Sequence, residues 1–136
     1  MARNVLADAG FVVALLSKRD SHHQWAVIKA SDLPPPWRTC EAALSEAFHL
    51  IGTPGRSSLS ALLRRRALLV AFEIVENLDP VLKLMEKYSN IPMSFADACL
   101  VRMTETLADC VILTTDTDFR VYRRHSRRMV PCVTPE

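Results

Sequence analysis

Four carboxylates, Asp8, Glu46, Asp97 and Asp116, with Asp118 close behind the last, are the residues whose setting in this sequence could form a reactive centre. The apolar run Val5, Leu6, Ala7 stops at Asp8, and the run Val111, Ile112, Leu113 stops at Thr114, Thr115 and Asp116. In an open parallel sheet ligands bind beyond the carboxyl ends of the strands, so these two aspartates converge if their strands lie side by side. At helical spacing Glu46 shares a face with Ala42, Ala43, Ala47 and Leu50, an apolar stripe expected to point toward the sheet. Asp97 repeats the pattern, with Leu100 and Val101 one turn away on its own face.

Ionised carboxylates on core-facing stripes are costly unless something positive compensates them. Several of them converging without a matching Lys or Arg repel one another and raise each other's pKa values. A divalent cation resolves that conflict. The candidate ligands are all oxygens, with no His or Cys at metal spacing beside them, which points to Mg2+ or Mn2+ rather than zinc. The chemistry to expect of such a centre is phosphodiester hydrolysis.

Simpler uses exist for each acid. Ser94 with Asp97, and Thr115 with Asp118, fit the pattern of a capping box, and Asp8 and Asp116 could be residues that end a strand in a turn. Glu46 has no such alternative except as a surface glutamate on a helix that exposes another face. Asp118 stays open between a ligand and a helix cap.

Other chemistries lack their residues. There is no G-x-G-x-x-G or G-x-x-x-x-G-K-[ST] cradle among only 3 glycines, and no G-x-S-x-G elbow for a serine nucleophile. His22 and His23 read as structural residues at the start of a helix, since a catalytic zinc wants three protein ligands. Phosphotransfer to Asp8 or Asp116 would want a D-x-D at the first strand and a lysine at a later strand end, and neither is present.

The elements that must hold these acids alternate between short apolar runs and longer helical patterns, the mark of a parallel sheet covered by helices. Strands are expected over residues 5–7, 37–39, 68–75, 110–114 and 129–133, the last broken by Pro131 and hence at an edge. Helices are expected over 10–18, 20–30, 41–51, 57–66, 80–88, 94–107 and 117–124. Pro34, Pro35 and Pro36 stop the second helix; Thr39 is placed to cap the third, which ends at Gly52; Asp79 and Pro80 open the fifth. One domain over residues 1–136 accounts for the chain, with no linker or repeat.

A composition 49% hydrophobic and 24% charged is that of an ordinary globular protein, which argues against disorder. The cysteines Cys40, Cys99, Cys110 and Cys132 form no C-x-x-C pair and read as free thiols in a reducing cytosol. No apolar run is long enough for a membrane helix or a signal peptide, so a cytoplasmic location is expected. The net charge of +2 says little about partners, but its distribution says more. Arg120, Arg123, Arg124, Arg127 and Arg128 lie in a stretch without acids, and Arg64, Arg65 and Arg66 form a second run. Either could hold phosphates or be a solvated face.

Taken in order, V-L-A-D-A-G-F-V-V-A-L-L from residue 5, D-S-H-H-Q-W-A from 20, T-C-E-A-A-L-S-E-A-F-H-L-I from 39, S-F-A-D-A-C-L-V from 94 and I-L-T-T-D-T-D-F from 112 resemble the PIN-domain ribonucleases, especially VapC-type toxins. The likeness runs through nearly the whole chain. It implies a three-layer α/β/α fold with a central, mostly parallel sheet. Asp8, Asp97 and Asp116 would bind Mg2+ or Mn2+, with Glu46 and Asp118 completing the catalytic acids and Thr114 supporting them. Ala9 departs from the many members that carry Thr or Ser after the first Asp.

The resemblance further implies an endoribonuclease that hydrolyses RNA phosphodiester bonds, the toxin of a type II toxin–antitoxin pair. It would act as a homodimer inhibited by an antitoxin protein. From the charge distribution, and not from the resemblance, Arg120, Arg123 and Arg124 are the candidates to contact the RNA. The alternatives are a PIN-like RNA-binding or interaction module without catalysis, and a housekeeping RNA-processing nuclease.

Overall fold

The computed structural model describes residues 3–136. The first half of the chain contains β1 (Asn4–Ala7), α1 (Ala9–Leu16), α2 (His23–Asp32), β2 (Trp37–Thr39), α3 (Glu41–Arg64) and β3 (Leu68–Val70). The second half contains α4 (Ile74–Lys87), α5 (Phe95–Thr106), β4 (Cys110–Leu113), a 3-10 turn (Thr117–Arg120), β5 (Arg123–Arg124), β6 (Arg128–Met129) and β7 (Cys132–Val133). Five strands form a sheet in the order β3-β2-β1-β4-β7, and every pairing in it is parallel. β5 and β6 form a separate antiparallel hairpin.

Alternation along the central strands builds three layers. Val5, Ala7, Val111 and Leu113 enter one core with Phe11 and Val12 of α1, Ala26 of α2 and Leu59 and Leu62 of α3. Leu6 and Ile112 point the other way, into a core with Val81 and Leu84 of α4, Leu100 and Met103 of α5, and Tyr122. Strands buried on both faces can be apolar without interruption, which is why 5–7 and 110–113 carry no polar alternation. No helix among the described residues is long and apolar enough to cross a membrane. Cys40, Cys99 and Cys110 are buried, Cys132 is half-buried, and all are free thiols.

Several expected boundaries move. Thr39 does not cap α3: its hydroxyl donates to the Ala7 carbonyl at 2.8 Å, and Cys40 takes the cap position with no side-chain bond. The strand expected over 68–75 ends at Val70, and α4 begins at Ile74 rather than at Pro80. Ile74, Val81, Leu84 and Met85 recur at helical spacing and all pack on the core, which outweighs the single hydrogen bond that Pro80 forgoes inside the helix. The helix expected over 117–124 is one 3-10 turn followed by β5. The strand expected over 129–133 is divided between β6 and β7. Pro131 sits at that division, and β7 forms the sheet edge, as its missing donor requires.

α3 combines the two helices expected over 41–51 and 57–66. Gly52 breaks them, with φ 68° and ψ −173°, a region open essentially to glycine alone. Both halves contribute to the core that holds α1, Ala47 from the first and Leu59 and Leu62 from the second. An added methyl at Gly52 would meet only the Pro54 ring, at 3.6 Å, so conformation and not space forbids a side chain. Gly52→Ala is therefore expected to destabilise the protein by about 1–3 kcal/mol in urea unfolding. An unchanged midpoint would mean that the kink relaxes without cost.

Candidate active site

The acids meet at the carboxyl edge of the sheet because β1 and β4 are neighbours. Ala7 pairs with Leu113, and the Asp8 amide donates to the Leu113 carbonyl at 3.0 Å. Strand order also reverses here: β2 lies on one side of β1 and β4 on the other. In open parallel sheets such a reversal is where ligands bind, beyond the carboxyl ends of the strands.

Thr114 locks the two strand ends together. Its hydroxyl donates to Asp8 Oδ2 at 2.7 Å and accepts from the Asp116 amide at 2.9 Å. Asp8 Oδ1 accepts from the Ala9 amide at 2.8 Å, which caps α1. Asp116 Oδ1 accepts from the Asp118 amide at 2.9 Å and so caps the 3-10 turn. Thr115, the residue expected to pair with Asp118 in a capping box, plays no part in that cap. Asp118 is half-buried on the turn.

Asp97 arrives from the first turn of α5. The capping box read from the sequence is formed: the Asp97 amide donates to Ser94 Oγ at 3.0 Å and the Ser94 amide to Asp97 Oδ2 at 3.4 Å. The Tyr122 hydroxyl also donates to that Oδ2, at 2.9 Å. Asp97 therefore serves as a cap and as a member of the acid cluster at once. Glu46 is half-buried on α3, between the buried Ala43 and Ala47, while Leu50 lies 59% exposed and so leaves the expected stripe.

The electrostatics follow from this crowding. Burial, with the charges of Asp97 and Glu46 adding to it, pushes the Asp8 carboxyl up to about 7 in spite of the Thr114 and Ala9 bonds. Burial and the charges of Asp97 and Asp116 raise Glu46. Burial raises Asp97 too, against the Tyr122 bond and together with the charge of Asp116. Among the described residues no Lys or Arg forms an ion pair with any of these acids.

The free oxygens decide what the cluster can bind. Asp97 Oδ1, Asp116 Oδ2 and both Glu46 oxygens accept no hydrogen bond from the described residues, yet none of them is sealed from solvent. Open, mutually repelling carboxylate oxygens without a basic partner fit a hard dication. Among the described residues no three acidic, His or Cys side chains stand close enough to surround one ion directly. Mg2+ tolerates that spacing, because it keeps several waters and needs only one or two carboxylates in direct contact.

The arginines are arranged differently from the sequence expectation. Arg123 Nη1 donates to the carbonyls of Arg120, Val121 and Tyr122 at 2.9, 3.0 and 3.1 Å, which closes the turn after the 3-10 segment. Arg124 Nη1 donates to the Thr104 carbonyl at 2.8 Å, near the end of α5 remote from Asp97. Arg120 is exposed and its Nη2 donates to Thr134 Oγ1. Arg127 and Arg128 are exposed on the hairpin. His23, one of the pair read as structural, holds α2 to α1 through a 2.8 Å bond between Nδ1 and the Ala14 carbonyl.

Tyr122 is the site residue that the sequence reading missed. It follows the acidic turn as an isolated aromatic in a run of arginines, and its partner Asp97 lies 25 residues away. No local pattern marks it.

Comparison with known proteins agrees with this architecture. The sequence matches the family model described as PIN domain over residues 5–124. The fold is similar to the crystal structure of Mycobacterium tuberculosis VapC20, a sarcin-ricin loop cleaving toxin, with a TM-score of 0.77 over 87% of this chain and 94% of that one. Identity to it is 17%, so the likeness is one of fold. No curated protein matches the sequence significantly.

Proposed function

The chain belongs to the PIN domain family, and from that premise we propose that it is a metal-dependent endoribonuclease hydrolysing RNA phosphodiester bonds. The observation that carries the proposal is the uncompensated acid cluster: burial and the charges of their neighbours, Asp116 among them, raise the proton affinity of Asp8, Glu46 and Asp97, and the free oxygens of the cluster open to solvent. Asp8, Asp97 and Asp116 would hold Mg2+ or Mn2+, with Asp118 as a supplementary acid and Thr114 as the hydroxyl that orients Asp8 and Asp116. The bound ion supplies charge for the phosphoryl oxygens, a lowered pKa for the attacking water and stabilisation of the leaving oxygen.

The remaining steps fall to the chain's own side chains. Glu46 is half-buried, its proton affinity is raised, and both its oxygens lack protein donors, so an Oε can take the proton of the attacking water. Exposed Arg120, Arg127 and Arg128 can pair with backbone phosphates. Arg123 and Arg124 have guanidinium groups engaged with main-chain carbonyls, which suits them to shaping the turn and hairpin. On this reading the protein is the toxin of a type II pair, working as a homodimer and restrained by an antitoxin. A housekeeping RNA-processing nuclease would use the same chemistry.

Water attack with departure of the 3′ oxygen leaves a 5′-phosphate and a 3′-hydroxyl, whereas attack by the RNA's own 2′-hydroxyl expels the 5′ oxygen, leaves a cyclic phosphate and needs no metal. Incubating the purified protein with RNA and Mg2+ or Mn2+ is expected to give 5′-phosphorylated products, and EDTA to stop the reaction. Cyclic ends or EDTA-resistant cleavage would refute the proposal. One observation favours the reading as an RNA-binding module: no three ligand side chains among the described residues close around a single ion. That reading predicts RNA binding in EDTA and no products with any metal.

A further inference from the structure

Tyr122 is wholly buried, yet it carries a hydroxyl that a phenylalanine would not have to satisfy. That hydroxyl donates to Asp97 Oδ2 at 2.9 Å. The other donor to this oxygen, the Ser94 amide, stands at a long 3.4 Å, so the phenol is the closer of the two. Both bonds land on Oδ2 and leave Oδ1 free, which fixes the rotation of the carboxylate and reserves one oxygen for the site.

The same residue also fastens the turn that carries the other acids. Its amide donates to the Asp118 carbonyl at 3.2 Å, closing the segment that bears Asp116 and Asp118. Through its main chain and its side chain, Tyr122 thus ties α5 to the end of the β4 connection. Its ring cannot swing out of place: Phe119 packs edge-on at 5.3 Å and Tyr88 at 5.2 Å between centroids. Tyr88 is anchored in turn by accepting from the Arg123 amide at 2.8 Å.

We infer that Tyr122 is a positioning residue, which presents Asp97 to the divalent ion in register with Asp116. The inference rests on the metal-dependent reading above. Hydrogen bonds that orient a metal-binding carboxylate are typically worth about 10–100-fold in metal affinity or activity. Removing this one should act on the ion and on turnover, while leaving the RNA-contacting surface untouched.

The test is Mn2+ binding to the full chain, followed by the electron paramagnetic resonance signal of free Mn2+. Wild type, Tyr122→Phe, Asp97→Asn, the double variant and Tyr88→Phe are compared. Tyr122→Phe keeps the ring and is expected to weaken Mn2+ binding about 10–100-fold and to lower kcat with little change in KM for RNA. In the Asp97→Asn background the same change should cost nothing further, because the carboxylate that it orients is gone. Tyr88→Phe removes a hydroxyl of the same aromatic cluster that touches no acid, and should bind Mn2+ as wild type does.

Wild-type affinity in Tyr122→Phe would overturn the inference and leave the nuclease reading standing, as would equal weakening in Tyr88→Phe, which would mean general loosening. Failure of the wild type itself to bind Mn2+ would overturn both.

Discussion

Asp8→Asn is expected to lower metal-dependent RNA cleavage by at least about 10³-fold and, in the same protein, to raise the stability of the metal-free form at pH 8. A loss of that size corresponds to roughly 4 kcal/mol of transition-state stabilisation, a reasonable share for a residue proposed as one ligand of an ion that would polarise the phosphate and activate water. The stability gain has the opposite sign because Asp8 is 5% exposed and surrounded by acids, so its charge opposes folding. An asparagine keeps an oxygen for the Ala9 amide, and Thr114 can accept from its NH2 group, since a hydroxyl has two lone pairs. The net gain should be roughly 2 kcal/mol once imperfect hydrogen bonding is subtracted from the relief of charge. Thermal unfolding in EDTA at pH 8 and a cleavage assay, run on one preparation, read both effects. A stability loss would mean that Asp8 matters mainly as the cap of α1, and unchanged cleavage would remove it from the site.

How much of the molecule can be read from its sequence depends on how local the partners of each residue are. Asp8 and Asp116 were visible because each ends an apolar run, and a parallel sheet delivers strand ends to a common edge. Asp97 was visible twice, as the fourth residue of a capping box and as an acid on a buried helix face, and the structure realises both. What escaped depends on partners remote in sequence. The Thr39 hydroxyl finds Ala7, 32 residues away, in place of its own helix, and Tyr122 finds Asp97. The hairpin of β5 and β6 carries no alternation of apolar and polar residues. It also turns through His125 and Ser126 at φ 49° and 69°, left-handed positions that no glycine announces. The start of α4 was hidden because Asp79 and Pro80 form a good helix opening inside a helix whose buried face had already begun. In each case the long-range contact outweighed a valid local preference.

The second large effect is on pH. Asp8 titrates near pH 7 in the folded protein and near 3.8 when the chain is unfolded. Below 3.8 both forms hold the proton and the group is neutral to stability. Between 3.8 and about 7 the unfolded chain releases its proton while the folded one keeps it, so stability falls as pH rises; above about 7 the full penalty is in place. Roughly three pKa units correspond to on the order of 4 kcal/mol, a large part of the 5–15 kcal/mol typical of a domain. Glu46 and Asp97 are raised as well and act in the same direction. On the proposed reading a divalent ion would reverse the trend, because it would bind the deprotonated acids and displace the protons they would otherwise hold. In EDTA the unfolding midpoint should therefore drop between pH 5 and pH 8. The shift produced by saturating Mn2+ should be small at pH 5 and large at pH 8, and cleavage should rise over the same interval. A midpoint in EDTA that climbs from pH 5 to pH 8 would show the acids to be favourably paired, and the metal argument would lose its physical basis.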